Sequence, residues 1–205
     1  SFLWATTFRN HGRTWFMLIA SVVVIFWLQP ALPIRGADFF TPLATLVLVV
    51  FTWFITADGE TRKQRKNIIV LAVVAGVVLL LNLTRFLPVI FLMTGLTLLA
   101  LSRLTRFSAS FLTVGLVLTT GLFLLIKIPD LSLWLSTFLR TLSGQSLTNV
   151  SINDFRWLGF SYIAFRLIHT IRDKQSGRFP SVDVGEFITY VIFFPAFTAG
   201  PIDRL

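Results

Sequence analysis

Four side chains with chemistry of their own fall on one predicted helix toward the end of the chain: Tyr162, Arg166, His169 and Asp173. Arg166, His169 and Asp173 stand at i, i+3 and i+7, with Tyr162 one turn before Arg166, so a helix presents them as one polar stripe. Ionisable groups at bilayer depth are costly, and such a stripe on an apolar helix turns toward a cavity or the protein interior. Two readings stay open. In one, Arg166 and Asp173 are structural partners, or snorkel to an interface, and His169 satisfies a buried hydrogen bond. In the other, the stripe lines a polar tunnel. Ser161 and His169 are eight residues apart, roughly 12 Å along a helix, too far for a nucleophile–base dyad.

Other catalytic templates fail on residue type or spacing. No two glycines are separated by one residue, so no dinucleotide fingerprint exists, and no phosphate-binding loop is present. Gly159-x-Ser161 lacks the closing glycine of a nucleophile elbow. The chain has no Cys, which excludes disulfides, thiolate-held metals and a thiol nucleophile. His11 and His169 are the two histidines present, too few for a histidine metal site, so no metal is expected.

Beyond the stripe, a second helix is predicted to start near Asp183, with Glu186 three residues on as in a capping box. It runs into Pro195, which must kink or end it. Gly200 and Pro201 then form a turn, followed by Arg204. Broken backbone at membrane depth is tolerated where protein or a water-lined cavity covers it. Arg204 is suited to neutralising a carboxylate or a donor phosphate, and equally to a plain structural role.

The elements that must position these residues are set by an extreme composition. Of 205 residues, 55% are apolar and 13% charged, and 22 are Phe. Mean hydropathy is +0.81. A soluble domain of this length would need far more charge to cover its surface. That excludes an ordinary soluble enzyme, a disordered chain and a nucleic-acid-binding module, despite the net charge of +9. The expectation is an all-α polytopic membrane protein, its basic residues gathered in short gaps between apolar runs.

Five runs approach the roughly 20 residues that a spanning helix needs: 14–28, 39–57, 68–83, 86–101 and 111–126. Asp38 is the expected N-cap of the second. None has an ionisable residue in its interior, which argues against ion-coupled transport through this half. Arg9, Arg13, Arg62, Lys63, Arg65, Lys66, Arg103 and Arg106 fall on one side, Arg35 and Arg85 on the other. The positive-inside rule then places Ser1 on the cytoplasmic side. From Leu131 to Leu142 the apolar residues recur at helical spacing, with Ser132, Ser136, Arg140 and Thr141 opposite, as in a helix lying in the membrane interface. The chain thus divides into a scaffold (1–130), an interfacial helix with a polar loop (131–153) and the segment that carries the stripe (154–205). Its helix is expected to begin near Asp154, with Ser151, Asn153 and Asp154 as available caps.

Gly159-Phe160-Ser161-Tyr162-x-x-Phe165, then Asp173 and Gly177, then Phe194-Pro195-x-x-x-x-Gly200-Pro201-Ile202-x-Arg204, resembles the membrane-bound O-acyltransferase family. The similarity is to its bacterial branch, which includes the alginate O-acetylation and teichoic-acid D-alanylation proteins, and it covers about the last quarter of the chain. It implies a bacterial cytoplasmic-membrane enzyme of about seven membrane-embedded helices around a tunnel, here a partial fold with one interfacial helix. An acyl group passes from a thioester donor (acyl-CoA or an acyl-carrier protein) to a hydroxyl of an envelope carbohydrate or similar acceptor, with a further envelope acyl-transfer protein as a possible partner. Tyr162, Arg166, His169, Asp173, Pro195, Gly200, Pro201 and Arg204 are the candidate tunnel-lining residues. The chain opens without Met and ends after the Ala199–Arg204 turn, and is read as a piece of a longer protein. The family's catalytic His would lie on a later helix, so no catalytic residue is expected here. The rival readings are a transporter or flippase-like protein and a structural membrane subunit.

Overall fold

Residues 11–81, 109–193 and 195 are described by a computed structural model, and among them every regular element is helical. The helices are α1 (His11–Trp27), α2 (Ala37–Thr56), α3 (Gly59–Lys63), α4 (Arg65–Leu81), α5 (Ala109–Lys127), α6 (Pro129–Leu142), α7 (Phe160–Gln175) and α8 (Val184–Val191). The predicted span at 86–101 lies outside the described residues, as do Ser1, Arg9, Arg85, Arg103 and Arg106.

Helix α2 is the central post. Leu46, Val49 and Trp53 are fully enclosed, and the helix packs against α1, α5, α7 and α8. Its buried threonines return their hydroxyls to their own helix, Thr41 to the Ala37 carbonyl and Thr45 to that of Thr41, so these hydroxyls are satisfied within the core. Its cap lies two residues before the predicted one. Gly36, with φ of 80°, turns the chain into the helix, and Asp38 sits in the first turn, where an acid suits the helix dipole.

Helix α5 runs antiparallel to α7, with Phe123 against Phe165 at one level and Gly115 against Ile171 and Ile55 at another. Two described helices are long and apolar enough to cross a membrane, Ala37–Thr56 and Ser110–Lys127, and Gly12–Trp27 is a shorter apolar helix. The two long ones differ in setting. α2 is mostly buried, whereas α5 leaves Val114, Val117, Leu118 and Leu124 exposed.

Helix α6 is built inside out. Ser132 and Ser136 are buried, while Leu131, Trp134, Phe138 and Leu142 are exposed, with Trp134 stacked on Phe138. Its small residues, with Leu135 and Leu139, pack against the bundle, and the other large apolar side chains face outward, as for a helix lying against lipid. Arg140, on the serine side, donates to Asp154 at 2.7 Å and to the Ser146 carbonyl. That ion pair explains a difference from the sequence expectation. The Asp154 carboxylate also accepts from the Ser151 amide, and residues 154–159 are irregular. The stripe helix therefore starts at Phe160, after Gly159 in the left-handed conformation (φ 72°).

At the opposite end, the 57–67 connector clasps the chain between α7 and α8. Lys174 pairs with Asp58 at 2.7 Å, Lys66 with Asp183, and the Thr61 and Ser181 hydroxyls share a hydrogen bond. Arg62 donates to the Ala57 carbonyl; burial pulls its guanidinium below the usual value and Asp58 opposes the shift. Asn67, buried, donates to the Thr61 carbonyl and accepts from the Val184 amide. The expected capping box at Asp183 and Glu186 is not formed: the Asp183 carboxylate pairs with Lys66 and makes no cap hydrogen bond, and the first-turn amide of Val184 donates to Asn67.

Candidate functional site

Helix α8 is eight residues long and stops at Val191 inside the bundle, before Pro195. Its last carbonyls have no intrahelical donors, and buried carbonyls must find partners. Arg166, from the middle of α7, supplies them. Its Nη1 donates to the carbonyls of Tyr190 (3.1 Å) and Val191 (3.0 Å), and its guanidinium lies over the Tyr190 ring, 5.6 Å from the centroid. Only 4% of Arg166 is exposed. A cation at a helix C-terminus also opposes the partial negative charge there.

The other members of the stripe are not joined to Arg166. His169 is half-buried, with Nδ1 enclosed and no hydrogen-bond partner among the described residues. Asp173 is half-exposed one turn further on; its carbonyl accepts from the Arg178 amide in the turn that ends α7. Neither His169 nor Asp173 makes a side-chain hydrogen bond or ion pair among the described residues. The i, i+3, i+7 spacing thus yields one structural cation in the core and two groups toward the connector end.

Tyr162 belongs to a different place. With Ser161 it lines an open cleft of about 470 Å³ where the ends of α1, α5 and α7 meet, bounded also by Lys127, Arg156 and Trp157. The indole of Trp157 is anchored below, its Nε1 donating to Thr45 Oγ1 at 2.9 Å. Pro195 is exposed. Gly200, Pro201 and Arg204 lie outside the described residues. No cluster of three or more His, Asp or Glu side chains fit for a metal occurs among the described residues.

Sequence reasoning passed over Asn67, Lys127 and Arg156. Asn67 carries no signal of its role, since its bond to the Val184 amide, 117 residues away, is set by tertiary structure. Lys127 reads as a helix stop and Arg156 as part of a helix, and nothing in their spacing brings them to one cleft.

Two curated proteins match part of the chain. One, a teichoic acid D-alanyltransferase of Streptococcus thermophilus, is 40% identical over 65 residues, 31% of this chain and 14% of the relative. The other, a teichoic acid D-alanyltransferase of Lacticaseibacillus rhamnosus, is 40% identical over 48 residues, 23% of this chain and 12% of the relative. The matched stretches therefore span under a sixth of either relative's length. No family model and no solved structure matches the chain.

Proposed function

We propose that this chain is part of a membrane-bound O-acyltransferase of the bacterial cytoplasmic membrane. It would move an acyl group from a thioester donor, acyl-CoA or an acyl-carrier protein, to a hydroxyl of an envelope carbohydrate or similar acceptor. The observation that carries the reading is the 40% identity over 65 residues to a teichoic acid D-alanyltransferase. The motif run from Gly159 to Arg204 accords with it.

In this reading a base takes the acceptor's proton, the oxygen attacks the thioester carbonyl, and the thiolate leaves as the tetrahedral intermediate collapses. The chain's own share is the wall of the tunnel. Arg166 fixes the end of α8, from which Pro195, Gly200, Pro201 and Arg204 follow. His169 and Asp173 give that wall polar groups toward the connector end. The membrane assignment has seven embedded helices, with α6 in the interface and Ser1 and the 57–67 connector cytoplasmic. Because Lys174 and Lys66 tie α7 and α8 to that connector, the 174–183 turn is cytoplasmic as well.

Deletion of the gene, followed by measurement of alkali-labile acyl esters on envelope polymers, tests the proposal. Ester content is expected to fall and to return with the wild-type gene. Unchanged ester content, with a defect in lipid or solute transport instead, would favour the transporter reading.

A further inference from the structure

An open groove of about 200 Å³ runs between the start of α2 and the end of α6. Phe40, Leu139, Leu142 and Phe155 give it apolar walls, and Phe40 and Leu142 are left exposed. Gln145, just beyond α6, holds the two walls together. Its Nε2 donates to the Pro33 carbonyl and its Oε1 accepts from the Arg35 amide, both at 2.9 Å. At Gly36 the space where a Cβ would stand is open, so the groove reaches the backbone. Among the described residues Arg35 is the charged group of the lining; it is exposed, and its guanidinium makes no hydrogen bond or ion pair there. Asp38, three residues on, is not part of the lining, and Arg140, the other cation at this end of α6, is paired with Asp154.

We infer that this groove seats an anionic phospholipid of the leaflet opposite the 57–67 connector, with one acyl chain between α2 and α6 and the phosphate on Arg35. Helix α2 has 20 residues and is roughly 30 Å long, about the thickness of a bilayer's hydrocarbon core. The connector follows its last residue and the groove lies at its first, so the two stand at opposite interfaces. The groove opens beside the outward face of α6, where Trp134, Phe138 and Leu142 meet lipid. An acyl chain lying along that face continues into the groove and covers Phe40 and Leu142, removing apolar surface from water. Arg35 at the rim keeps its charge at headgroup level, as long basic side chains do. Its planar guanidinium suits two phosphate oxygens, and no carboxylate in the lining competes for it. A free fatty acid or neutral lipid would leave one of these two features unused. The inference rests on the membrane placement of α2 and α6 proposed above and is independent of acyl transfer.

The test places the full-length protein in phosphatidylcholine nanodiscs with a trace of phosphatidylglycerol carrying a photoactivatable diazirine on one acyl chain. Peptide mass spectrometry reads the label on Phe40, Leu139 and Leu142 against that on Val117 and Leu118, exposed apolar residues of α5 that report ordinary boundary lipid. The groove-to-α5 ratio is expected to be higher with this probe than with a phosphatidylcholine probe of the same chain. Arg35→Gln is expected to lower the ratio about fivefold, the scale of one basic residue at an anionic lipid surface. Arg35→Lys is expected to retain most of it. Lys127→Gln, which removes a cation from the end of α5 at the same interface, is expected to leave the ratio unchanged. Label on α5 with none in the groove overturns the proposal while leaving the membrane placement standing. Label on neither refutes the membrane placement and the proposal with it. Equal ratios for the two probes, a ratio unmoved by Arg35→Gln, or an equal fall in Lys127→Gln would mark boundary lipid or diffuse charge, and each overturns the site.

Discussion

Replacing Arg166 with Met keeps a long flexible side chain at a buried position and removes both hydrogen bonds to the end of α8. Each such bond from a charged donor is worth about 1.5–3 kcal/mol net of desolvation. Both come from one nitrogen, at 3.1 and 3.0 Å, so their effects overlap, and the low end of the sum, about 3 kcal/mol, is the working figure. For a chain of this size that corresponds to roughly 6–12 °C in the unfolding midpoint. Hydrogen–deuterium exchange of the full-length protein localises the effect. Arg166→Met is expected to speed exchange in the last turn of α8 while α2 stays protected. Arg166→Lys keeps the charge and is expected to recover part of the loss. In activity, Arg166→Ala is expected to do more harm than Leu167→Ala, although Leu167 is fully buried. Unchanged α8 exchange in Arg166→Met, or equal activity and expression for the two Ala variants, would refute the assigned role.

Three further outcomes follow from the same packing. Asn67→Leu is expected to cost about 2–4 kcal/mol in thermal or denaturant unfolding, because it strands the Thr61 carbonyl and the Val184 amide together. Asp154→Ala leaves Arg140 largely buried without its carboxylate and is expected to cost about 3 kcal/mol or more, with Arg140→Met/Asp154→Leu recovering much of it. Gln64→Cys, in a chain with no native Cys, is expected to react with an impermeant thiol reagent in inverted membrane vesicles and not from outside intact cells; labelling from outside would reverse the topology.

How far the sequence alone could lead differs from one element to another, for physical reasons. The apolar runs that became α1, α2, α4 and α5 were legible to within three residues at each end, because length and hydropathy decide them. α6 was legible as amphipathic, yet the burial of its serine side depends on the neighbours it packs against. The start of α7 was misplaced by about six residues because Asp154, a fit cap by type, is drawn into an ion pair with Arg140, fourteen residues earlier. The same competition displaced the capping box at Asp183. Helical spacing put Arg166, His169 and Asp173 on one stripe, but not which of them would enter the core. That depends on α8 ending beside Arg166, a tertiary fact. The Lys127 and Arg156 cleft joins residues 29 positions apart, and no local pattern announces it.

The central claim, acyl transfer, is tested most directly by reconstituting the full-length protein in proteoliposomes with an acyl-labelled thioester donor and a hydroxyl-bearing envelope polymer. Label is expected to appear on the polymer as an alkali-labile ester, in proportion to protein and dependent on the thioester. Label that stays on the donor, with a folded protein and both CoA and carrier-protein thioesters tried, would contradict it.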